Sequence, residues 1–355
     1  MACPLLDDVV DEEVLILRRA FRHERVFRDR ADPLAFSDEY LTERYRFSGD
    51  GIRYLCRLLG PNIQHKTARS HALIVPQMVC VALRFFASGV FLYSVGDAEN
   101  LNKATICRTI RNADLALKSL VHIFITFPGH RRFIHIKEEF YKIAAFPNVI
   151  GTVDCTHIRI QRPSGAHEGD YVNRKSFHSV NVQMICDADC LITNLEAKWP
   201  GSVHDSRIFR ASRIYQRLSL GEFSGVLLGD KGYACETFLM TPLTDPQTPA
   251  QQAYNHAHAK TRAQIEMTFG LLKSRFQCLH HLRVSPDRAC DVTVACTVLH
   301  NIASLRKERA PRVALDVNWD NAAIFPDNRN GRLVHVLQLS FVHINLDFCQ
   351  LDLSL

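Results

Sequence analysis

Four acidic side chains stand out because they fall within or directly after segments that have the pattern of folded elements. Asp230 follows the apolar run VLL, Asp154 lies in the alternating run NVIGTVDCTHIRI, Glu266 lies in a helical pattern, and Asp205 follows PGSVH. Carboxylate oxygens are the ligands that Mg²⁺ and Mn²⁺ prefer. Acids that converge from separate elements could hold two such ions about 3.5–4 Å apart, an arrangement that cleaves phosphodiesters.

The two acids in strand-like runs also have simpler interpretations. Asp230 begins Asp-Lys-Gly, which favours a turn. Asp154 would need no ion if its strand lay at the edge of a sheet and the side chain faced solvent. In an alternating strand, however, a carboxylate in the middle of an apolar face is costly to bury unless it meets a cation or hydrogen-bond donors. The residues expected on this face, besides Asp154, are Ile150, Thr152, Thr156 and Ile158.

The two acids in helical patterns have simpler interpretations as well. Glu266 lies at the margin of an apolar helical stripe, and Arg262, four residues earlier, could form an ordinary surface ion pair with it. Asp205 and Ser202 have the S-x-x-D spacing of a capping box. His204 could instead act beside Asp205 as a second ligand or a proton shuttle, and the sequence leaves both open. The stripe consists of Ile265, Phe269, Leu272 and Phe276.

The elements that must position these acids begin near residue 146. Three strand-like runs separated by short polar turns, NVIGTVDCTHIRI, FHSVNVQMICDA and LITNLEAKW, predict an antiparallel meander. An amphipathic helix, SVHDSRIFRASRIYQRL, and a fourth strand, GVLLGDKGY, come next. A Pro-rich loop then precedes a long helix around KTRAQIEMTFGLLKSRF. This order predicts an α/β layered domain with a mixed sheet.

The part of the chain before this domain has helical patterns. Residues 1–60 predict a basic helical region, in which an arginine-rich face could bind nucleic acid or be an ordinary solvated surface. Residues 61–145 divide into helical segments that predict a helix-turn-helix-like region. Its last segment leaves Lys103, Arg108 and Arg111 available for DNA. A three-helix bundle with a polar rim is equally compatible with this pattern.

Composition narrows the class of protein. The chain has 355 residues, of which 47% are apolar, so it can fill a sizeable core as one large or two ordinary domains. Its net charge of +6 is a weak indication of a polyanionic partner. The 12 cysteines include no C-x-x-C pair, which argues against a zinc ribbon and indicates a reducing compartment. The acidic start and short apolar stretches predict neither export nor a membrane span.

The segments GTVDCTHI, PGSVHDSRIF, LLGDKGY and RAQIEMTFGLLKSRF, in this order, resemble the catalytic core of PIF/Harbinger-type DDE transposases. The resemblance covers roughly residues 40–320, and 35 residues separate Asp230 from Glu266, as is common in DDE enzymes of this group. It implies an RNase H-like fold for the nuclease domain, residues 146–325. The hydrophobic tail, 326–355, does not fit the family pattern, and its structure is left unassigned.

The resemblance also implies roles for the acids. Asp154, Asp230 and Glu266 match the catalytic triad, which would bind a divalent cation, Mg²⁺ or Mn²⁺, and Asp205 would be an additional metal ligand. DNA is the implied substrate, and a Myb/SANT-like DNA-binding protein is the implied partner. A nuclear and cytoplasmic location is expected, and the formation of a homo-oligomer is left open.

Two functions from different classes are compatible with these residues. One is a metal-dependent DNA endonuclease, in which exposed cations contact phosphates; the other is a catalytically silent adaptor that keeps the fold for DNA or partner binding. Retention of all four acids favours the endonuclease. A zinc site is a weaker alternative, because the spacing of its candidate ligands closes no tetrahedral site. The candidate phosphate contacts of the nuclease domain are Lys231, Lys260, Arg262 and Lys273, and the candidate zinc ligands are His256, His258, Cys290 and Cys296.

Overall fold

The structure is a computed structural model that describes residue 30 and residues 32–65 and 72–311. Within these residues the chain forms eleven α-helices and five β-strands. Most of the predicted basic helical region, up to residue 29, lies outside the described residues, as does the predicted tail, 326–355. None of the described helices is both long enough and apolar enough to span a bilayer.

Seven helices precede the sheet. They are α1 (Asp38–Tyr45), α2 (Gly49–Ile63), α3 (Val75–Ser88), α4 (Leu92–Ala98), α5 (Lys103–Lys118), α6 (Val121–Phe124) and α7 (Phe133–Ala144). Four more lie among or after the strands: α8 (Asp205–Arg210), α9 (Arg213–Ser219), α10 (Pro249–Arg275) and α11 (Pro286–Leu305). Short 3₁₀ turns occur at Pro33–Ala35, Glu168–Tyr171 and Gln277–His280.

The five strands form one mixed sheet in the order β3-β2-β1-β4-β5. They are β1 (Val149–Arg159), β2 (Ser179–Cys186), β3 (Ile192–Pro200), β4 (Val226–Leu228) and β5 (Leu239–Met240). The first three form the predicted antiparallel meander, and β4 and β5 run parallel to β1. The mixed α/β architecture that the sequence predicts is therefore confirmed, although β5, which has only two residues, has no sequence pattern of its own.

Helices cover both faces of the sheet. On one face α10 packs against β1 and β2 through its predicted apolar stripe, of which Ile265, Leu272 and Phe276 are fully buried. On the other face Phe209 of α8 and Ile214 of α9 contact the sheet. The single amphipathic helix predicted for this segment is thus two short helices, because the chain turns at Ala211 and Ser212, whose hydroxyl caps α9.

A bulge in β1 changes which residues share its faces. The pairing of β1 with β4 shifts register between Val149 and Gly151. As a result Ile150 packs with Val153 in the core beneath α8 and α9, rather than with Ile158 beneath α10. The prediction that Ile150 shares the face of Asp154 is therefore wrong, because strict alternation begins only after the bulge.

The helices before the sheet pack into the same core as the strands. Ile106 and Ile110 of α5 belong to one buried cluster with Val180 and Val182 of β2, and α11 connects them because it packs against both α5 and β3. Asn102 caps α5 by accepting a hydrogen bond from the Ala104 amide at 2.9 Å. The three predicted helical segments are present as α3, α4 and α5; their use as a helix-turn-helix stays a prediction.

Candidate active site

The register of two parallel strands brings Asp154 and Asp230 together. Thr152 of β1 pairs with Leu228 of β4, and each aspartate follows its paired residue by two positions. Because neighbouring parallel strands advance in step, both carboxylates reach the same edge of the sheet. Burial raises the pKa of Asp154 to about 7, with the charge of Asp230 adding to the rise, although Arg262 opposes it.

Helix α10 carries the third acid, Glu266, and Arg262 of the same helix links it to Asp154. Arg262 Nη1 lies 3.1 Å from Asp154 Oδ2, and its Nη2 donates a hydrogen bond to Glu266 Oε1. The side chain of Arg262 is 21% exposed and that of Asp154 is 18% exposed. The Arg262–Glu266 ion pair, which is the simpler interpretation of Glu266, is therefore present. The same arginine also contacts Asp154 on β1.

Two of the acids, Asp154 and Glu266, contact this cation, and Asp230 acts on it through its charge. Burial disfavours the charge of Arg262, yet Asp154, Glu266 and Asp230 together raise its pKa. Burial likewise raises the pKa of Asp230, which the Gly232 amide and Arg262 partly oppose. Three carboxylates around one guanidinium leave an excess of negative charge when all are ionised. The three acids of the predicted triad therefore lie near Arg262, and their service as a catalytic triad stays a prediction.

Asp205 is held at the start of a helix, but not by the capping box that its spacing suggests. His204, not Ser202, is the N-cap of α8, and its ring nitrogen accepts the Ser206 amide at 3.3 Å. The capping-box interpretation is therefore wrong. Asn181 of β2 donates its side-chain N–H to Asp205 Oδ1 at 2.8 Å and thereby fixes the carboxylate.

Asp205 lies on the side of β1 opposite to the face that carries Asp154. Cys155, whose side chain points away from α10, lies 3.4 Å from the Tyr233 hydroxyl. Burial raises the pKa of Cys155, and Asp205 is the nearby charge that contributes most to this rise. The influence of Asp205 on Asp154 is smaller than that of Arg262 or Asp230. The structure thus places Asp205 beside the triad, and its service as a metal ligand stays a prediction.

The four candidate phosphate contacts of the nuclease domain differ in their surroundings. Arg262 is engaged by the triad, as described above. Lys273 is half-buried and donates hydrogen bonds from Nζ to Thr156 Oγ1 at 2.7 Å and to the His157 carbonyl at 3.1 Å. Burial lowers the pKa of Lys273 to about 8. Lys231 and Lys260 are exposed.

The three candidates on α5 also differ. Arg111 pairs with Asp291 of α11 at 2.5 Å, and Lys118 shares that carboxylate. The ammonium of Lys103 lies 4.5 Å from the centroid of the Tyr93 ring. Arg108 is exposed.

The donor set of the triad fits a hard divalent cation, because carboxylate oxygens are what Mg²⁺ and Mn²⁺ select. As placed, no three His, Cys, Asp or Glu side chains among the described residues are close enough to ligate one ion, and Arg262 supplies the positive charge at the triad. The zinc alternative has no support among these residues. His258 contacts the Met240 carbonyl, whereas Cys296 lies 3.8 Å from Cys278.

Two parts of the site were not predicted. The contact between Arg262 and Asp154 joins residues 108 positions apart, so sequence spacing shows only the local Arg262–Glu266 pair. The role of Asn181 in holding Asp205 depends on the turn after β3, where the Val203 carbonyl accepts from the same amide at 2.9 Å. A polar residue at an inward position of the run HSVNVQM is the one signal that could have identified it.

Comparison with known proteins assigns the family. The DDE superfamily endonuclease family matches residues 153–301, which include Asp154, Asp205, Asp230 and Glu266. The chain is 39% identical over 309 residues to the human protein named "Putative nuclease HARBI1", covering 85% of this chain and 86% of that protein. The chain belongs to the PIF/Harbinger-type DDE transposase family. This DDE protein shares 34% identity with the Xenopus laevis protein of the same name, over 85% of this chain and 87% of that protein.

More distant relatives of the DDE protein occur in plants. It is 25% identical over 302 residues to the Arabidopsis thaliana "Protein ALP1-like", covering 78% of this chain and 72% of that protein. No solved structure matches the chain. DDE endonucleases generally use divalent metal ions, and this chain carries such an endonuclease domain.

Proposed function

We propose that this protein is a divalent-metal-dependent DNA endonuclease, with Asp154, Asp230 and Glu266 as its metal-holding residues. The observation that carries the proposal is that Asp154 of a strand and Glu266 of a helix both contact Arg262, while the charge of Asp230 raises the pKa of the same arginine. Carboxylates placed close together disfavour one another's ionisation, and such a cluster is a candidate for a functional site. Membership in a DDE endonuclease family supports the same function.

Two carboxylates of the triad accept hydrogen bonds from backbone amides. Asp154 Oδ1 accepts the Cys155 amide at 2.7 Å, and Asp230 Oδ1 accepts the Gly232 amide at 2.9 Å. Asp230 therefore keeps its second oxygen for another partner, whereas the second oxygen of Asp154 accepts a hydrogen bond from Arg262. When bound, a pair of hard divalent cations supplies an activated water and neutralises the leaving oxygen at phosphorus. Asp205, held by Asn181, is proposed as an additional ligand.

Further features of the proposal follow from the family. We infer that the mixed sheet is an RNase H-like core, which the parallel placement of β4 beside β1 supports. A Myb/SANT-like protein that delivers the nuclease to its DNA site, and a location in the nucleus and cytoplasm, are proposed on the same ground.

The deciding experiment compares Asp230→Asn and Glu266→Gln with the unchanged protein on end-labelled duplexes that carry family-type terminal repeats. Each is assayed with Mg²⁺, with Mn²⁺ and with EDTA, alone and with a Myb/SANT-like partner. We expect nicking that EDTA abolishes and that either substitution reduces at least about 100-fold. Asp50→Asn, which removes an exposed acid paired with Arg53, is the control and should cleave normally.

The other results have definite meanings. Equal cleavage by all variants would show that a contaminating nuclease is responsible. DNA binding without cleavage under every condition would exclude the endonuclease and favour the adaptor.

A further inference from the structure

The far end of β1 carries a pair of exposed arginines from two distant segments. A short parallel bridge fixes them: the Leu282 amide donates to the Arg159 carbonyl at 2.8 Å, and the Gln161 amide donates to the Leu282 carbonyl at 3.1 Å. Arg283 is therefore brought beside Arg159. Burial lowers the pKa of His281 between them, and Arg283 and Arg159 lower it further, as expected where two cations lie close together.

Aromatic rings hold both guanidinium groups in place. The guanidinium of Arg283 lies 4.4 Å from the centroid of Phe91, and its Nη1 donates to the Gly89 carbonyl at 3.2 Å. The guanidinium of Arg159 lies 5.6 Å from the centroid of Phe177. Phe91 is 62% exposed, which places this contact at the surface. Stacking on a ring orients an arginine without neutralising its charge.

Two further cations lie near this surface. Arg174 and Lys175 are exposed in the loop before β2, next to Phe177 in sequence. Burial lowers the pKa of His157 on β1, and although Asp205 opposes this effect, Arg174 and Lys175 add to it. Their charges therefore act on the part of β1 that lies between Arg159 and the triad.

We call Arg159, Arg283, Arg174 and Lys175 the basic band. Among residues 30, 32–65 and 72–311, no acidic side chain lies within ion-pair distance of any of the four. By contrast, Arg111 and Lys118 both pair with Asp291. Arg159 and Arg283 are held by aromatic rings, and all four cations are left without a carboxylate, which suits them to an anion from outside the chain.

We propose that the basic band binds the phosphate backbone of the DNA that enters the carboxylate centre. That the polyanion is DNA rests on the proposed function. The path of the DNA along the protein is inferred from the geometry of β1. Arg159 lies five positions after Asp154, so the band begins about 16 Å along the strand from the triad. That length corresponds to about five nucleotide steps.

The chemistry of the band favours phosphate over an acidic peptide. A guanidinium offers two parallel N–H donors that match phosphate oxygens, and three of the four cations are arginines. The rings of Phe91 and Phe177 are occupied by these arginines, so they position charge and are not offered as stacking platforms for bases. The band is therefore expected to contribute affinity without sequence preference.

The test measures binding of a labelled duplex by fluorescence anisotropy in EDTA, so that cleavage plays no part. Arg159→Gln, Arg283→Gln and Lys175→Gln should each raise Kd roughly threefold to tenfold and reduce the slope of log K against log salt by about 0.9. Lys142→Gln is the matched control, because it removes an exposed cation of α7, which packs near the other end of β1. It should leave both quantities unchanged.

A double-mutant cycle tests the role of the ring. Phe177→Leu should weaken binding less than Arg159→Gln, and adding Phe177→Leu to Arg159→Gln should weaken it no further, because the ring acts through the guanidinium. Additive losses would contradict this positioning role. Circular dichroism of each variant confirms that the fold is retained.

The remaining outcomes separate this inference from the proposed function. Wild-type affinity and salt slope in all three band variants would overturn the basic band while leaving metal-dependent nicking intact. Band-dependent binding by a protein that never cleaves would retain the band and overturn the endonuclease. Competition by poly-glutamate more strongly than by DNA would reassign the surface to an acidic protein partner.

Discussion

Arg262 of α10 lies with its Nη1 3.1 Å from Oδ2 of Asp154 on β1, so a helix and a strand are joined at the candidate active site by one half-buried ion pair. The same guanidinium contacts Glu266 one turn later on α10. In the absence of another cation, Arg262 is the group that makes the crowding of the carboxylates tolerable. The site therefore has a charge balance that depends on a single side chain.

Replacing this arginine should destabilise the protein and make its stability depend on metal. Without divalent ions, Arg262→Gln should cost about 1–3 kcal/mol of unfolding free energy and lower Tm by several degrees, because Asp154 loses its partner. Saturating Mg²⁺ should raise Tm more in the variant than in the unchanged protein, since the ion would then supply the missing charge. Thermal unfolding with and without Mg²⁺ measures both effects.

The control for this prediction is Arg53→Gln, which removes an arginine from an exposed pair with Asp50. Exposed pairs of this kind contribute little, so its Tm should change by less than about 1 °C. An unchanged Tm for Arg262→Gln would show that the buried carboxylates need no cation and would contradict the charge balance described here.

A second buried acid, Asp114 of α5, should make stability depend on pH. Its side chain is fully buried and neither oxygen accepts a hydrogen bond from a described group. Burial raises its pKa from 3.8 to about 7, although Arg288 and Arg111 oppose the rise. A raised carboxyl pKa means that the folded state binds the proton more tightly. Stability from this group is therefore lost as pH rises from about 4 to about 7.

Asp114→Asn should remove this dependence. Urea unfolding at pH 5 and pH 8 should show that the variant gains stability relative to the unchanged protein at pH 8, by on the order of 1–3 kcal/mol, and gains little at pH 5. Asp50→Asn, at an exposed position, should give parallel pH profiles. An equal difference at both pH values would contradict a titrating Asp114.

The strands and the triad could be predicted from sequence because their signals are local or ordered along the chain. Alternation identified β1, β2 and β3, and the parity of side chains placed Asp154 on the same face as Thr156 and Ile158. The two-residue β5 could not be predicted, because so short a strand has no periodicity and forms only by pairing with β4. The bulge near Gly151 could not be predicted from the sequence either, since it depends on the pairing with β4.

The helix that carries Glu266 shows how tertiary contacts extend a local prediction. It begins at Pro249, inside the segment predicted as a Pro-rich loop, because Thr248 and Gln251 form a capping box and Pro is compatible with the first helical turn. The Asp205 capping box had the same kind of spacing and proved wrong. Spacing alone does not decide which residue becomes the N-cap, because the position where the helix begins also depends on the path of the chain before it.

Lys273 should act chiefly in folding rather than in DNA binding. Its ammonium donates to Thr156 Oγ1 and the His157 carbonyl, which ties α10 to β1. Lys273→Met should lower unfolding free energy by about 1–3 kcal/mol, because a strand hydroxyl and carbonyl lose a charged donor. The salt slope of DNA binding should stay the same. Urea unfolding and anisotropy measure the two quantities, and Lys142→Met, at an exposed position of α7, is the matched control.

Gly201 is the position at which the segment before Asp205 has no room for a side chain. A Cβ there would lie 2.7 Å from the carbonyl oxygens of both Ser179 and Tyr171 and would also meet the Ser179 hydroxyl. Backbone atoms cannot move aside as a flexible side chain can, so Gly201→Ala should cost about 1–3 kcal/mol through overpacking. Gly201 precedes a turn in which the Val203 carbonyl and the Asp205 carboxylate both accept hydrogen bonds from the Asn181 amide. A shift of this turn should displace Asp205, so nicking should fall as well.

The matched control is Gly169→Ala, since a Cβ at Gly169 would have no atom within 4 Å. Thermal unfolding and nicking per folded molecule distinguish the two consequences. A loss of stability without a loss of nicking would show that the turn positions only the fold, and that Asp205 contributes nothing at the triad. Loss of both in Gly201→Ala, with neither in Gly169→Ala, is the result we expect, because the carboxylate depends on the path of the backbone just before it.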